Sequence, residues 1–307
     1  MDRAPQPASF RFEAMGSPCE PQLHAAHPVA SALAARARAE LERLEQRYSR
    51  YRPTSLLGEL NRVGERGGSI DVDDETAQLL DYADTCHAQS DGLFDITSGV
   101  LRRAWRFREG RLPADGEVTA LLAHVGWQRV GWQRPRLQLP AGVELDFGGI
   151  VKEYAADRLA TLCLEAGCES ALVNLGGDIR ATGAQPGGVP WRIGIRDPRT
   201  SASPAPGAPP LHVLALERGA VATSGDYARC IEVAGRRYGH VLDPRTGWPV
   251  QHLASVTVLA DFCVLAGSAA TIALLREAQG PQWLEGLGLP HLWINTQGEV
   301  GGSLADR

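Results

Sequence analysis

Lysine is almost absent from this chain. Of its 31 basic residues, Lys152 is the only lysine and the other 30 (31 − 1) are arginine. A lone lysine is either a surface residue without a specific role or a residue required for its ammonium group. A compact ammonium reaches an anion differently from a planar guanidinium, and an anion bound at a helix start would favour a cation there. Since a helix is predicted to start near Lys152, we treat this residue as a candidate anion-binding group.

Cysteine pairs with metal-binding spacing are also missing. No two of the cysteines form a Cys-x-x-Cys pair, which argues against a zinc site, and their scattered positions give no disulfide framework. Cys163 and Cys168, on a helical pattern, are predicted to be core or near-core thiols. The six cysteines are Cys19, Cys86, Cys163, Cys168, Cys230 and Cys263.

Long hydrophobic runs and a strong net charge are absent as well. No apolar run reaches the roughly 18 residues that would suggest a membrane-spanning helix, and Met1–Pro7 lacks the profile of a signal peptide. A net charge of −5 gives no reason to expect nucleic acid as a partner. The sequence as given therefore predicts a cytoplasmic protein, or a periplasmic one if its N-terminus is processed or mis-started.

The hydrophobic patterns predict an α+β fold. Helical spacing covers 28–51, 73–90, 150–167 and 262–279, while 171–175, 191–195, 211–216 and 255–259 have strand character, as does a short segment at 10–13. Helices come first and adjacent strands later, which favours mixed or antiparallel sheets with packed helices over a regular βαβ alternation. A proline-rich stretch at about 197–210 is predicted to be a flexible loop. We expect one domain over 1–307.

Four glycine-containing turns are the first pointers to function. Paired glycines let the backbone approach a phosphate and direct N–H groups at it. Each turn alone is weak evidence, and the usual dinucleotide and P-loop patterns are absent. Together they predict a cleft for a phosphorylated ligand. The turns lie at 146–149, 174–178, 222–226 and 243–247.

Two polar residues near these turns have two interpretations each. His240 lies three residues before Asp243, and it is either a general base or phosphate donor or a strand-end histidine bonded to the turn. Asp95, in Asp91–Gly99, either contacts a ligand or caps the following helix, and the local sequence favours the cap.

Taken in order, these motifs resemble the ApbE-type FAD:protein FMN transferases over nearly the whole chain. The resemblance rests on ordered segments that match the family's Met-Gly-Thr, Ser-x-Tyr…Ser…Leu-Asn, Gly-x-Phe-Asp-x-Thr and Asp-x-Gly-Gly-x-x-Lys-Gly…Asp patterns, followed by three further turns. The segments are Met15–Ser17, Ser49–Asn61, Gly92–Thr97, Asp146–Lys152 with Asp157, Asn174–Asp178, Thr223–Gly225 and His240–Gly247.

The resemblance implies an FAD-binding cleft between two closely associated subdomains. It also implies a Mg²⁺-dependent transfer of FMN to a Thr or Ser hydroxyl of an acceptor protein that carries a flavinylation motif, with AMP as the leaving group. The family places residues of this chain in four roles. The diphosphate is held by Lys152, Gly148, Gly149, Gly176 and Gly177; the FAD pocket is lined by Met15, Tyr51 and Asp95; the nucleotide side contacts Thr223 and Ser224; and the base or phosphate donor is His240, in a loop fixed by Asp243.

The chain departs from the family at its metal site. The family's Ala-Asp-Ala-x-Ala-Thr binds Mg²⁺ through the Asp, the Thr and a carbonyl of the Gly-Gly turn, here Gly149. Thr271 is retained, but Gly267 stands at the Asp position, and Glu153 stands where the family has Gly. A glycine inside a helix costs about 1 kcal/mol relative to alanine, so Gly267 predicts a close backbone approach. We also expect that Gly267→Asp raises Mg²⁺ affinity.

The departure at Gly267 leaves three alternatives for the metal site and the activity. The metal is held with a carboxylate from elsewhere, a different cation arrangement is used, or the protein binds FAD without transferring it. An FAD pyrophosphatase that gives FMN and AMP is a further alternative, in which water replaces the acceptor hydroxyl.

Overall fold

The computed structural model describes residues 6–199, 209–225 and 230–305. Most of the proline-rich loop predicted at 197–210 lies outside this range, as does the last residue of the 222–226 turn.

The described chain folds into helices and antiparallel strands. The α-helices are α1 (His27–Tyr48), α2 (Leu56–Arg66), α3 (Asp74–Gln89), α4 (Asp115–Leu122), α5 (Val151–Glu165), α6 (Cys263–Leu275) and α7 (Gly280–Gly286). The strands are β1 (Ala8–Ser9), β2 (Phe12–Ala14), β3 (Ser17–Leu23), β4 (Gly68–Asp71), β5 (Gly131–Gln133), β6 (Arg136–Leu139), β7 (Ala171–Leu175), β8 (Asp178–Ala181), β9 (Trp191–Ile195), β10 (His212–Leu216), β11 (Gly219–Gly225), β12 (Cys230–Val233), β13 (Arg236–Gly239), β14 (Leu253–Ala260), β15 (His291–Asn295) and β16 (Val300–Gly301). Short 3₁₀ helices cover Ile96–Arg103, Phe107–Glu109, Trp127–Arg129 and Glu277–Gln279.

One large sheet organises the chain. It has nine strands in the order β1-β3-β7-β8-β11-β14-β15-β16, with β2 paired to β3, and every strand pair in it is antiparallel. A three-stranded sheet β4-β6-β5 and the ribbons β10-β9 and β12-β13 complete the strands of the described residues. The predicted α+β fold with antiparallel sheets is confirmed.

Helices α5 and α6 pack side by side on the large sheet. Helix α6 packs on β11 and β14, helix α5 packs on β7 and β8, and the two helices contact each other. The sequence of α6 is almost wholly apolar, and ten of its residues are buried, including Ala266, Gly267 and Ala270. A helix that is apolar all round belongs in an interior, which explains why α6 lies between the sheet and other helices.

Most predicted elements match the structure, with shifts at their ends. Helix α3 is capped by Asp73, whose side chain accepts from the Thr76 N–H. The helix predicted at 28–51 ends earlier, at Tyr48, since Ser49 already has extended backbone. A new helix, α2, then starts after Ser55, whose Oγ accepts from the Gly58 N–H. Helix α2 was not predicted, because Pro53, just before it, is a residue that usually ends a helix.

Strand β3 was also missed, because it contains two prolines that argue against a central strand. Each proline contributes its carbonyl to the sheet. The Pro21 oxygen accepts from the Phe10 N–H at 3.1 Å, and the Pro18 oxygen accepts from the Gly176 N–H at 2.9 Å.

The cysteines and the helices of the described residues bear on two features that the sequence lacks, a disulfide framework and a membrane-spanning helix. The six cysteines form no disulfide bond with one another. Cys163 and Cys168 are buried, as predicted. No described helix combines the length and apolar character needed to cross a membrane.

Candidate functional site

Lys152 lies in the first turn of α5 and is held by a buried aspartate. Its Nζ is 2.7 Å from Oδ2 of Asp178, and the Asp178 side chain is only 5% exposed. Burial alone would lower the pKa of the Lys152 ammonium, but the charges of Asp178 and Glu153 outweigh burial and raise that pKa above its usual value. Lys152 is therefore a fixed cation at a helix start, as an anion-binding role requires.

Two backbone turns meet at this ammonium. Gly176 has φ +65°, and a side chain there would lie 2.7 Å from Ser17 Cβ and 3.9 Å from Lys152 Nζ. Glycine is required at this position both for its backbone conformation and for the space. The next glycine, Gly177, donates its N–H to Asn174 Oδ1 at 2.9 Å. The structure thus brings the Met15–Ser17 turn and the 174–178 turn together at Lys152.

The turn before α5 is anchored by Asp146. Its Oδ1 accepts from the Gly148 N–H at 2.9 Å, and its Oδ2 pairs with Arg50. The Arg50 guanidinium lies 5.0 Å from the ring centroid of Tyr51, which is 68% exposed. An exposed aromatic ring is thereby positioned next to the turn that contains Gly148 and Gly149.

Met15 and Asp95 occupy constrained positions. Met15 has φ +53°, unusual for a residue with a side chain, and its N–H donates to Glu45 Oε2 at 2.9 Å. Asp95 caps the 3₁₀ helix: Oδ1 accepts from the Thr97 N–H and hydroxyl at 2.7 and 2.6 Å, and Oδ2 accepts from the Trp127 N–H at 2.9 Å. The geometry of Asp95 matches the cap interpretation of its local sequence.

Thr223 and Ser224, adjacent on β11, make different contacts. Thr223 Oγ1 shares a hydrogen bond of 2.8 Å with Thr257 on β14, while its backbone N–H hydrogen-bonds the Asp178 carboxylate. Ser224 Oγ shares a hydrogen bond of 2.7 Å with Thr271 Oγ1 on α6. A residue predicted for the nucleotide side and one predicted for the metal are therefore in direct contact.

The His240–Gly247 loop follows β13. His240 is exposed. The Asp243 carbonyl accepts from the Thr246 and Gly247 N–H groups at 3.2 and 2.7 Å, and its carboxylate accepts from the Arg245 guanidinium at 2.7 Å. Asp243 thus organises this turn, with Arg245 as the partner of its side chain.

The two departures from the family pattern are neighbours in space. A Cβ on Gly267 would lie 2.5 Å from Glu153 Cγ and 2.9 Å from Glu153 Oε1. The expected close approach at Gly267 is therefore real, but a side chain makes it rather than the backbone. Glu153 is 6% exposed, and its Oε2 has no hydrogen-bond partner among the described residues. Burial, and then the charge of Asp178, raise the pKa of Glu153.

Asp157 caps a helix other than its own. Its Oδ1 and Oδ2 accept from the N–H groups of Cys263 and Val264 at 2.8 and 2.9 Å, and Arg180 Nε lies 3.2 Å from Oδ1. Since Phe262, the N-cap of α6, provides no side-chain cap, Asp157 on α5 caps α6. No local pattern contains this signal, because the carboxylate and the helix it caps are far apart in sequence.

A metal site made only of protein side chains is not present in the described residues. Across 6–199, 209–225 and 230–305, no three His, Cys, Asp or Glu side chains are grouped to hold an ion. A divalent cation here would need one carboxylate, neutral oxygens such as Thr271 Oγ1, and phosphates of a ligand. Mg²⁺ is commonly bound in this way, through one or two carboxylates and substrate phosphates.

Comparison with known proteins agrees with this arrangement of turns and helices. The model of the ApbE family matches residues 15–293. This chain belongs to the ApbE family. Among its relatives, the FAD:protein FMN transferase of Vibrio cholerae is 31% identical over 264 residues, which are 83% of this chain and 76% of that protein. The FAD:protein FMN transferase of Klebsiella pneumoniae is 32% identical over 259 residues, 82% of this chain and 77% of that protein.

Solved structures give the same result for this ApbE-family fold. The ApbE protein of Thermotoga maritima superposes with a TM-score of 0.87 at 30% identity, covering 97% of both chains. The apo form of the flavinyl transferase ApbE of Pseudomonas stutzeri superposes with a TM-score of 0.86 at 28% identity, covering 99% of this chain and 96% of the other.

Proposed function

We propose that this protein transfers FMN from FAD to a Thr or Ser hydroxyl of an acceptor protein and releases AMP. One observation carries the proposal: the only lysine of the chain lies at a helix start, fixed by a buried aspartate, where two glycine-containing turns meet. A helix start with exposed backbone N–H groups and a cation suits a diphosphate. The relatives named FAD:protein FMN transferases support FAD as the source of that diphosphate.

The proposed reaction is one phosphoryl transfer. The acceptor hydroxyl oxygen attacks the phosphorus on the FMN side of the diphosphate, and the bond between that phosphorus and the bridging oxygen breaks. The bridging oxygen leaves with AMP, and the hydroxyl proton passes to a base. Such a reaction depends on positioning and on neutralising phosphate charge.

In this proposal, Lys152 and the glycines Gly148, Gly149, Gly176 and Gly177 hold the diphosphate. The exposed Tyr51 ring, Met15 and Asp95 line the flavin pocket, and Thr223 and Ser224 contact the nucleotide side. His240 accepts the hydroxyl proton or donates to a phosphate, which its exposure and loop position support, while Asp243 maintains the turn that follows it.

Mg²⁺ is part of the proposal, with Thr271 Oγ1 and the Gly149 carbonyl among its ligands. A bound Mg²⁺ supplies charge neutralisation at the phosphate oxygens. The hydrogen bond between Thr271 Oγ1 and Ser224 on β11 supports this role, because it brings the Thr271 hydroxyl to a residue proposed to contact the nucleotide.

We propose that 1–307 acts as one flavin-transferase domain, which is supported by the sheet that contains both β1 and β16. The acceptor is proposed to be a protein with a Thr or Ser in a flavinylation motif.

An in-gel flavin fluorescence assay tests the proposed function. The purified protein is incubated with FAD and a flavin-acceptor domain, in Mg²⁺ or in EDTA, and released AMP is quantified in parallel. A fluorescent acceptor band that EDTA abolishes is the expected result. AMP release with no band would replace the transferase by an FAD pyrophosphatase, and FAD binding without AMP would replace it by a non-catalytic FAD-binding protein.

A further inference from the structure

The side chain of Glu153 occupies the space that Gly267 leaves open. Its Cγ lies 2.5 Å from where a Cβ on Gly267 would be. The carboxylate of Glu153 therefore reaches the surface of α6 at the position where an aspartate on α6 itself would begin. The space between α5 and α6 at this point holds either a side chain at position 267 or the side chain of Glu153, but not both.

The charges around Glu153 do not balance within the described residues. Three carboxylates interact there, those of Glu153, Asp157 and Asp178. Asp178 pairs with Lys152 at 2.7 Å and Asp157 pairs with Arg180 at 3.2 Å. Glu153 shares the charge of Lys152 with Asp178, and its buried Oε2 has no hydrogen-bond partner in the described part of the chain. A buried carboxylate without a hydrogen-bond partner is costly, and it is neutralised by a proton or by a cation.

Glu153 lies against the face of α6 that carries the proposed metal ligand Thr271. Gly267 and Thr271 are four residues apart on α6 and therefore lie on the same face. Glu153 contacts this face at Gly267, and the Thr271 hydroxyl, one turn further along, is joined to Ser224 on β11.

We propose that Glu153 supplies the anionic ligand of a divalent cation in this protein, with the carboxylate donated from α5 across Gly267 instead of from α6. The inference rests on the proposed function, because the cation neutralises the diphosphate of FAD. It replaces the open alternative of a carboxylate from elsewhere by a named residue, and it explains why the two departures from the family pattern occur together.

The inference changes the outcome expected for Gly267→Asp. The new Cβ would collide with Glu153, and two carboxylates would be forced together. The single substitution is therefore expected to displace Glu153 and lower metal affinity, whereas the exchange Glu153→Gly with Gly267→Asp is expected to restore it by moving the carboxylate to α6.

Mn²⁺ binding measured by electron paramagnetic resonance tests the assignment without relying on activity. The full chain is titrated with Mn²⁺, alone and with saturating FAD, and FAD binding is followed separately by flavin fluorescence. Glu153→Gln, which keeps the shape and removes the charge, is expected to weaken Mn²⁺ binding at least about tenfold, as loss of an anionic ligand predicts. Glu165→Gln removes the same charge from an exposed position near the end of α5, and it serves as the control that leaves Mn²⁺ binding unchanged.

Two results would overturn the inference. One is a Glu153→Gln variant with Mn²⁺ affinity within about twofold of wild type; the other is a folded double exchange that binds Mn²⁺ no better than Glu153→Gln. These outcomes are separable from failure of the proposed function. Glu153-dependent Mn²⁺ binding with no FMN transfer would keep the metal ligand and reject the transferase, and Mg²⁺-dependent transfer with unchanged Mn²⁺ binding in Glu153→Gln would do the reverse.

Discussion

At the residue scale, Lys152 has two roles, one in stability and one in the proposed anion binding. It neutralises Asp178, which is buried, and it offers an ammonium to the space between the glycine-containing turns. Removing one partner of a buried ion pair commonly costs about 3–5 kcal/mol, since the other charge stays buried without compensation. The residue that binds the anion in our proposal therefore also contributes to stability.

Substitution of Lys152 by alanine is predicted to weaken FAD binding at least about tenfold, because a charge-assisted hydrogen bond contributes about 1.5–3 kcal/mol. Flavin fluorescence titration measures the affinity, and denaturant unfolding reports the accompanying loss of stability. Arg158→Ala is the matched control, since Arg158 lies on the same helix and pairs with Glu40 at 3.4 Å. Wild-type FAD affinity and turnover in Lys152→Ala would refute the anion-site interpretation.

At the scale of elements, α5 and α6 are joined by a cap. Asp157 on α5 accepts two N–H groups at the start of α6, a helix whose own N-cap residue provides none. The same two helices carry Glu153 and Gly267, so the cap also fixes the geometry at which these two residues meet.

We expect Asp157→Ala to lower the free energy of unfolding by about 1–2 kcal/mol, the usual effect of losing a helix cap. Denaturant unfolding measures the loss, and hydrogen exchange should increase first in the opening turn of α6. Glu165→Ala removes the same charge from an exposed position of α5, and little change is expected there. Equal stability of the two variants would show that the cap contributes nothing.

Helices α1 and α3 are linked by charge. Arg43 donates to Glu75 with both contacts at 2.7 Å and to Glu40 at 2.8 Å. These hydrogen bonds are the main reason that the pKa of each carboxyl lies below its ordinary value of 4.5. A lowered carboxyl pKa contributes stability above the unfolded-state pKa, and that contribution is lost as the pH falls through the lowered native pKa.

Arg43→Gln is therefore predicted to reduce the free energy of unfolding by about 1 kcal/mol at pH 7, a modest value because the Arg43 side chain is partly exposed and screened. The difference from wild type should shrink below about pH 4, where the carboxyls become protonated. Urea unfolding at pH values from 7 down to below about 4 measures this difference in the free energy of unfolding. Arg38→Gln, which breaks an exposed pair with Glu42 on the same helix, is the control; a pH-independent difference for Arg43→Gln would contradict the prediction.

At the scale of the whole molecule, the large sheet gathers the candidate site. Ser17 on β3, Asp178 on β8 and Ser224 on β11 come from separate parts of the chain, and α5 and α6 pack on β8 and β11. A ligand bound there contacts several elements at once, so its binding should stabilise the entire fold.

FAD at about 100 times its dissociation constant is predicted to raise the free energy of unfolding by about 2.7 kcal/mol through mass action. Thermal unfolding with and without FAD measures the shift. Riboflavin, which lacks the diphosphate, should give a much smaller shift at the same concentration if Lys152 and the glycine turns hold phosphate. Equal shifts for FAD and riboflavin would place the binding energy in the flavin pocket alone.

The sequence by itself determined the family, the α+β class, four of the seven α-helices and five of the sixteen strands of the described residues, because these depend on ordered motifs and on local periodicity. It identified Lys152, Gly267 and Glu153 as unusual, since a lone lysine and two departures from a pattern are visible without any structure. Among the elements it missed are α2, which begins three residues after Pro53, and β3, which contains two prolines although proline usually argues against a central strand.

Only the tertiary structure decided which of these residues meet. Asp178 reaches Lys152, Thr271 reaches Ser224, and Glu153 fills the space above Gly267 because α5, α6 and the sheet pack in one particular register. Contacts between elements depend on packing distances and side-chain directions, which local periodicity does not encode. The two departures from the family pattern therefore remain separate in the sequence and become a single feature once the helices are packed.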